Sequence, residues 1–178
     1  MRRRGSAASV DAQTAFECIV DDLEYPMFVV SVAVDDSQDA CLVGFTTQCS
    51  IEPPRFAVFL SKNNHTYELA SRADLLAVHR VHADQHDVAE HFGATSEKDD
   101  PGKLDEWPWR PGPRGVPLIA DCDWFAGAVE ERFDAGDHVA FVLSPLSEAD
   151  SGECAGGGQL GYQEVRDIDA GRPAGEPD

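Results

Sequence analysis

Residues 44–66 read Gly44-Phe45-Thr46-Thr47-Gln48-Cys49-Ser50-Ile51-Glu52-Pro53-Pro54-Arg55-Phe56-Ala57-Val58-Phe59-Leu60-Ser61-Lys62-Asn63-Asn64-His65-Thr66. A polar run comes first, a Pro-Pro break follows, then an apolar run of strand length, then a second polar run. Two strands therefore each end in hydroxyl, amide and cationic groups. That equipment suits a planar, phosphorylated ligand rich in hydrogen-bonding sites, because strand ends expose backbone N–H groups beside the side chains. The plainer alternative is local: Thr46 and Thr47 are good strand formers in a hairpin, and Ser61 to Asn64 is the entry to a helix.

Working outward, strand-like runs rich in Val, Phe, Ile and Leu recur over Met27–Val34, Cys41–Thr47, Arg55–Ser61, Leu75–Val81, Trp124–Glu131 and His138–Ser144. Asp35 to Asp39 supplies a turn that makes the first two an antiparallel hairpin, and Arg132 to Asp137 supplies another. Two short helices fall between, over Thr66–Ala73 after the capping Asn64 and over Asp84–Phe92 with Gly93 as a C-cap. Phe16, Ile19, Val20 and Leu23 give a third, amphipathic candidate near the start. Many short strands and few helices predict a mainly β, antiparallel barrel with helical plugs. The spacing assigns residues 1–15 to a disordered segment, 16–147 to the barrel domain and 148–178 to an acidic, Gly-rich tail. In that tail Leu160 to Val165 is expected to add one edge strand. Residues 95–115, carrying Trp107-Pro108-Trp109, are expected to be a long loop that buries something.

The chain has 178 residues, enough for one domain with a sizeable core. Its formal net charge of -19 argues against a nucleic-acid or anionic-membrane partner, since both would repel it at long range. Small molecules and proteins remain as partners. Cys18, Cys41, Cys49, Cys122 and Cys154 are odd in number and include no close pair, a pattern that fits a reduced, cytoplasmic chain. The basic start Met1-Arg2-Arg3-Arg4 is not followed by an apolar segment of the kind export signals need.

The order of three segments carries a resemblance to a known family. These are the Thr46–Pro54 run leading to Ser61-Lys62-Asn63-Asn64-His65-Thr66, the strand Leu75–Val81 leading to Asp84-Gln85 and ending at Phe92-Gly93, and Gly136-Asp137-His138 before an apolar strand. The chain resembles flavin reductase-like proteins, the FMN-binding split β-barrels, over about Tyr25 to Leu146. The resemblance implies a homodimer that binds FMN, with FAD as an alternative, and passes hydride from NAD(P)H to the flavin. It also implies an acceptor such as oxygen or a partner monooxygenase. In that family the flavin lies near the dimer interface. Positions matching Phe45, Thr46, Thr47, Gln48, Cys49 and Ser50 line the ring and ribityl chain. Those matching Ser61, Lys62, Asn63, Asn64, His65 and Thr66 approach the phosphate, and the histidine matching His138 lies near the nicotinamide. His138 then aligns the nicotinamide rather than acting as a base, because hydride transfer depends chiefly on alignment. His82 and Gln85, at the start of the second helix, are further candidates for contact with the cofactor. The chain departs from the common pattern at Phe45, where many members carry a small polar residue, so this ring either stacks on the flavin or crowds it.

Other features are open to two readings. Cys49 invites a redox role, yet a lone thiol is more often a small strand residue. His79, His82, His86, Glu90 and His91 invite a metal, yet the strand histidines fall on opposite faces; no metal is expected. Trp107 and Trp109 are candidates for a lid, and Trp124 for core. A flavin carrier or sensor without NAD(P)H turnover is the rival function, since related split barrels serve several chemistries. A ligand-free interaction domain is the third.

Overall fold

The computed structural model describes residues 9–94 and 102–168. The strand β1 (Phe28–Val34) turns through Asp35 and Asp36 into β2 (Ser37–Val43), with Val34 opposite Ser37. Asp35 takes the left-handed conformation (φ 54°), which aspartate tolerates better than most residues. Because this turn needs only two residues, pairing begins at Ser37 rather than at Cys41. The run expected to be a single strand through Thr47 is instead broken at Gly44-Phe45, and β3 (Thr46–Ser50) begins anew.

After the Pro-Pro break come β4 (Arg55–Ser61), the helix α2 (His65–Ala70), β5 (Leu75–Arg80) and α3 (His86–Ala94). A small hairpin, β6 (Trp109–Pro111) and β7 (Pro117–Ile119), occupies part of the stretch expected to be a loop. It turns through Arg114 and Gly115, both at positive φ. The long β8 (Asp123–Asp134), β9 (His138–Pro145) and the short β10 (Gly152–Glu153) complete the chain. Strands lie in the order β2-β1-β5-β8-β9-β4-β3, all antiparallel, with β10 added to β8. The mainly β, split-barrel expectation holds, with three α-helices among the described residues, of which α2 and α3 pack against the curled sheet.

Period-two alternation explains how the sheet serves two cores. Leu76 and Val78 of β5 face the barrel interior with Val30, Val58, Leu60, Phe141 and Leu143. Leu75 and Ala77 face outward against Leu118 of β7 and Trp124. A further cluster under α3 joins Val29, Val88, Phe92 and Leu160. A central strand buried on both faces reads as a continuous apolar run, as β5 does.

Several boundaries differ from the sequence reading for identifiable reasons. The helix α1 (Ala12–Val20) begins inside the segment expected to be disordered, because Asp11 accepts a bond from Thr14 N at 3.0 Å and caps it. The helix α2 stops at Ala70, where Arg132 donates to the carbonyls of Ala70 and Ala73. Gly93 is not a C-cap: α3 runs through it, and a Cβ there would come within 3.0 Å of Leu42. Its role is to let the helix lie close on β2. The expected edge strand at 160–165 is likewise replaced. Leu160 bridges Met27 and Val81, just before β1 and just after β5, accepting from Met27 N at 2.9 Å and donating to Val81 O at 3.0 Å, and Tyr162–Glu164 forms a 3-10 turn. Segments 1–8, 95–101 and 169–178 lie outside the described residues.

Two stability predictions follow from buried positions. A Cβ on Gly127 would lie 2.9 Å from Leu143 Cβ across the β8–β9 pair. Gly127→Ala is therefore expected to destabilise by about 1–3 kcal/mol through overpacking, read as a lowered melting temperature. His79 is fully buried on β5, donates from Nδ1 to Val29 O at 3.0 Å, and has a pKa pushed down by burial to about 4. Its folded value lies below its unfolded one, so the unfolded chain binds the extra proton between pH 6.5 and 4. Stability from this group is full above pH 6.5 and is lost as pH falls through that window. His79→Leu should remove a loss of the order of 3 kcal/mol on acidification, measured as the wild-type minus variant difference in denaturant unfolding at pH 7 and pH 4.5.

Candidate functional site

The strand β3 ends the sheet, so among the described residues its outer edge pairs with no other strand. Edge N–H and C=O groups of this kind are ready to bind a ligand or a second chain. Thr47, Gln48 and Cys49 are exposed there, and register shifts between Gln48 and Ser50, leaving Cys49 outside the ladder. Gln48 Nε2 donates to Ser50 O at 3.2 Å, and Thr47 Oγ1 to Gln48 O at 3.2 Å. Thr46 Oγ1 is buried with no hydrogen-bond partner, which leaves one donor and acceptor to satisfy.

Beside this edge, Tyr25, Phe45, Thr46, Phe59, Asp137 and His138 surround a cavity of about 330 Å³. The Phe45 ring lies between Tyr25 and His138, each with its centroid 5.3 Å away, and is 49% exposed. His138 opens β9 directly opposite Ser61 of β4, so the register brings the second polar run beside the Gly-Asp-His turn. It donates from Nδ1 to Asp137 Oδ1 at 2.8 Å, and this bond holds the Asp137 carboxyl below its usual value. Lys62 is tied to the same turn twice: its backbone N donates to Asp137 O at 2.9 Å and its Nζ to Asp134 Oδ2 at 2.5 Å.

The candidate residues divide into those the structure gathers here and those it does not. Ser61, Lys62 and His138 share one end of the β4–β9 pair; Phe45 and Thr46 lie next to it, opposite Phe59 and Val58, while Thr47 to Ser50 run back along β4 to Arg55, away from His138. Asn63 is exposed, with its N–H donating to Ser61 Oγ at 3.3 Å. The other three residues of the second run have structural partners. Asn64 caps α2 by accepting from Thr66 N at 3.2 Å, while Thr66 is fully buried and donates its hydroxyl to Asp39 Oδ2 at 2.6 Å. His65 Nδ1 bonds the same Asp39 oxygen at 3.2 Å. Thr66 thus locks helix to sheet rather than facing a ligand.

His82 and Gln85 belong to a different place. They line a cleft of about 660 Å³ beside Asp121, Trp107 and the glycines at 156–158. Gln85 accepts from His82 N at 2.8 Å and donates to Asp121 O at 2.9 Å, so both ends of its amide are engaged. His82 Nε2 stands 3.7 Å from Asp123, the carboxylate that also pairs with Arg80 and accepts from Ala155 N. Trp109 and Trp124 line a cleft that shares His82 and Asp121 with this one. The tryptophans therefore sit apart from the Phe45–His138 cavity. Residues that the sequence reading passed over are Tyr25, Phe59 and Asp134. Asp134 counts in the sequence only as a turn former, and the signal for a role is its place at the end of the turn that leads into the Gly-Asp-His motif.

Comparison with known proteins fits this arrangement. The family model for the flavin reductase like domain matches residues 11–160. The "Probable flavin reductase" of Rhizobium meliloti (strain 1021) is 31% identical over 122 residues, covering 65% of this chain and 38% of that protein. The chain thus spans about two fifths of the length of that relative. The NADH-dependent FMN reductase AsuE2 of Streptomyces nodosus subsp. asukaensis is 26% identical, covering 87% of this chain and 88% of that protein. Among solved structures, BorF, the flavin reductase component of a bacterial two-component tryptophan halogenase, superposes with a TM-score of 0.64 at 27% identity, covering 76% of this chain and 85% of that one. The matched stretch takes in the β3 edge, the Lys62 loop and the Gly-Asp-His turn together, and the chain belongs to the flavin reductase like domain family.

Proposed function

We propose that this chain is an NAD(P)H-dependent flavin oxidoreductase whose flavin site is the end of the sheet formed by β3, β4 and the start of β9. The observation that carries this reading is the convergence of an unpaired strand edge, an aromatic cavity and a lysine loop around His138. A cavity of about 330 Å³ lies at the low end of the usual range for small-molecule sites, roughly 300–1,000 Å³, which suits a ring held partly in the open.

The residues present fit a flavin. The outer N–H groups of β3 supply donors of the kind ring carbonyls require, and Thr46, whose buried hydroxyl has no partner, is among the residues that line the cavity. Phe45 and Tyr25 give flat apolar contact. Ser61, Lys62 and Asn63 are the groups available to a phosphate. When bound, the flavin supplies the hydride acceptor, and NADH or NADPH supplies the hydride. His138 orients the nicotinamide: its Nδ1 is committed to Asp137, which sets the ring's orientation and leaves Nε2 for the nicotinamide amide. FMN is the flavin named for AsuE2, and we assign FMN as the first ligand to test, with FAD second.

A second copy of the chain is the partner we favour for the outer face of this sheet. Phe45, Phe133 and Ile51 are 49%, 50% and 83% exposed, an apolar load that a homodimer would cover. We also infer delivery of reduced flavin to oxygen or to a partner oxygenase, as the description of BorF as one component of a two-component halogenase suggests by analogy. No described helix is long and apolar enough to cross a membrane, and all five cysteines are free, which supports a reducing, cytoplasmic setting.

Adding FMN to purified protein should produce bound-flavin absorbance that bleaches on anaerobic addition of NADH. Bound flavin that stays oxidised with both NADH and NADPH would favour a carrier, and absence of any flavin binding would overturn the reading. His138→Ala should lower kcat/KM for the nicotinamide donor by roughly 10- to 100-fold while flavin Kd stays within about twofold, as expected for lost alignment.

A further inference from the structure

Lys62 is the cation on which the phosphate end of the proposed site depends, and it is already engaged. Its Nζ lies 2.5 Å from Asp134 Oδ2, while Gly136 N donates to Oδ1 of the same carboxylate at 2.9 Å. Asp134 is therefore held from two sides, and the lysine bond followed by the backbone bond keeps its carboxyl below its ordinary value. The pair spans the start of β9, because Lys62 follows β4 on one side and Asp134 ends β8 on the other. Both groups are open to solvent, at 36% and 69% exposure. A second carboxylate, Asp137, stands at the same turn on His138. One lysine thus faces two acids, in a chain that carries a net charge of -19.

A phosphate brings between one and two further negative charges to this spot. It must either displace a carboxylate that the backbone holds in place or lie next to it. Both cost interaction energy, so the phosphate adds little to binding. Resting on the flavin reading above, we infer that Asp134 is a specificity-determining residue: it occupies Lys62, so the phosphate adds little to binding and the site discriminates little between FMN and riboflavin. Asp134 acts on the ligand through Lys62 and on charge alone. The geometry of the turn does not depend on its charge, since an asparagine oxygen can still accept from Gly136 N.

The test is a titration of wild type, Asp134→Asn and the double variant Asp134→Asn/Lys62→Met with FMN and with riboflavin at low salt, followed by protein and flavin fluorescence. Wild type should bind the two flavins with Kd values within about threefold of each other. Asp134→Asn should tighten FMN by roughly three- to tenfold and leave riboflavin unchanged, as removal of one nearby like charge predicts. Salt should shrink that gain, and Lys62→Met should abolish it. A wild-type preference for FMN of tenfold or more would overturn the inference, as would an Asp134→Asn effect equal for both flavins or absent from both. If wild type binds neither flavin, the flavin reading itself fails, an outcome distinct from normal binding that ignores Asp134.

Discussion

The carboxylate of Asp39 is the pin that closes this barrel. It lies on β2 at one end of the strand order, and it is fully buried. Three groups satisfy it: its neighbour Ala40 N at 2.7 Å, the Thr66 hydroxyl at 2.6 Å and the His65 ring at 3.2 Å. His65 and Thr66 open the helix that follows β4, near the other end of that order. One acid thereby ties the two ends of a curled sheet together through a helix that fills the gap. A buried carboxylate with such partners is costly to leave unpaired, so the closure is specific as well as tight. The start of α2 takes its position from that anchor, while Lys62 on the loop before it is tied to the turn at Asp134 and Asp137.

This arrangement explains which parts of the fold were legible in the sequence. Strands rich in Val, Leu, Phe and Ile, such as β1, β5 and β9, fell close to where their apolar runs put them, because burial on one or both faces fixes their register. What periodicity could not reveal was tertiary. Gly93 carries the signature of a helix stop, yet its missing side chain serves packing against Leu42. The polar, Gly-rich stretch near 155–162 looks like a tail, yet its backbone supplies bonds that Met27 and Val81 lack elsewhere. Local composition reports propensity, and these segments are placed by distant partners.

The site shows the same division. An order of short motifs marked Phe45 to Ser50 and His138; the registers bring Ser61 and His138 side by side with Phe45 and Thr46 near them, but carry Ser50 to Arg55 at the other end of β4. The run Ser61 to Thr66 was read as one phosphate-facing unit, but a chain entering a helix changes face within a few residues. Lys62 and Asn63 remain outside while Thr66 turns in toward Asp39. His82 and Gln85 look equivalent to these residues in composition, yet they sit with Asp121, Asp123 and the tryptophans in separate clefts. Sequence distance carried no information on that separation. The strongly acidic composition also acquires a local meaning, since the acids at 134 and 137 flank the candidate ligand-binding end and are not merely a solvated surface.

The strand-like insertion of Gln159 to Gly161 has a temporal side as well. Gln159 reaches Met27 across 132 positions of chain, and the Tyr162 ring packs on Tyr25, which in turn walls the Phe45 cavity. Contacts so remote in sequence require a long loop to close before they return any energy. A chain of which only the first strands have emerged can pair β1 with β2 and β3 with β4, but it cannot yet dock this segment or brace Tyr25. Assembly of the aromatic wall is thus a late event in the life of each molecule, and a partly synthesised barrel exposes an edge and a cavity without the ring that steadies them.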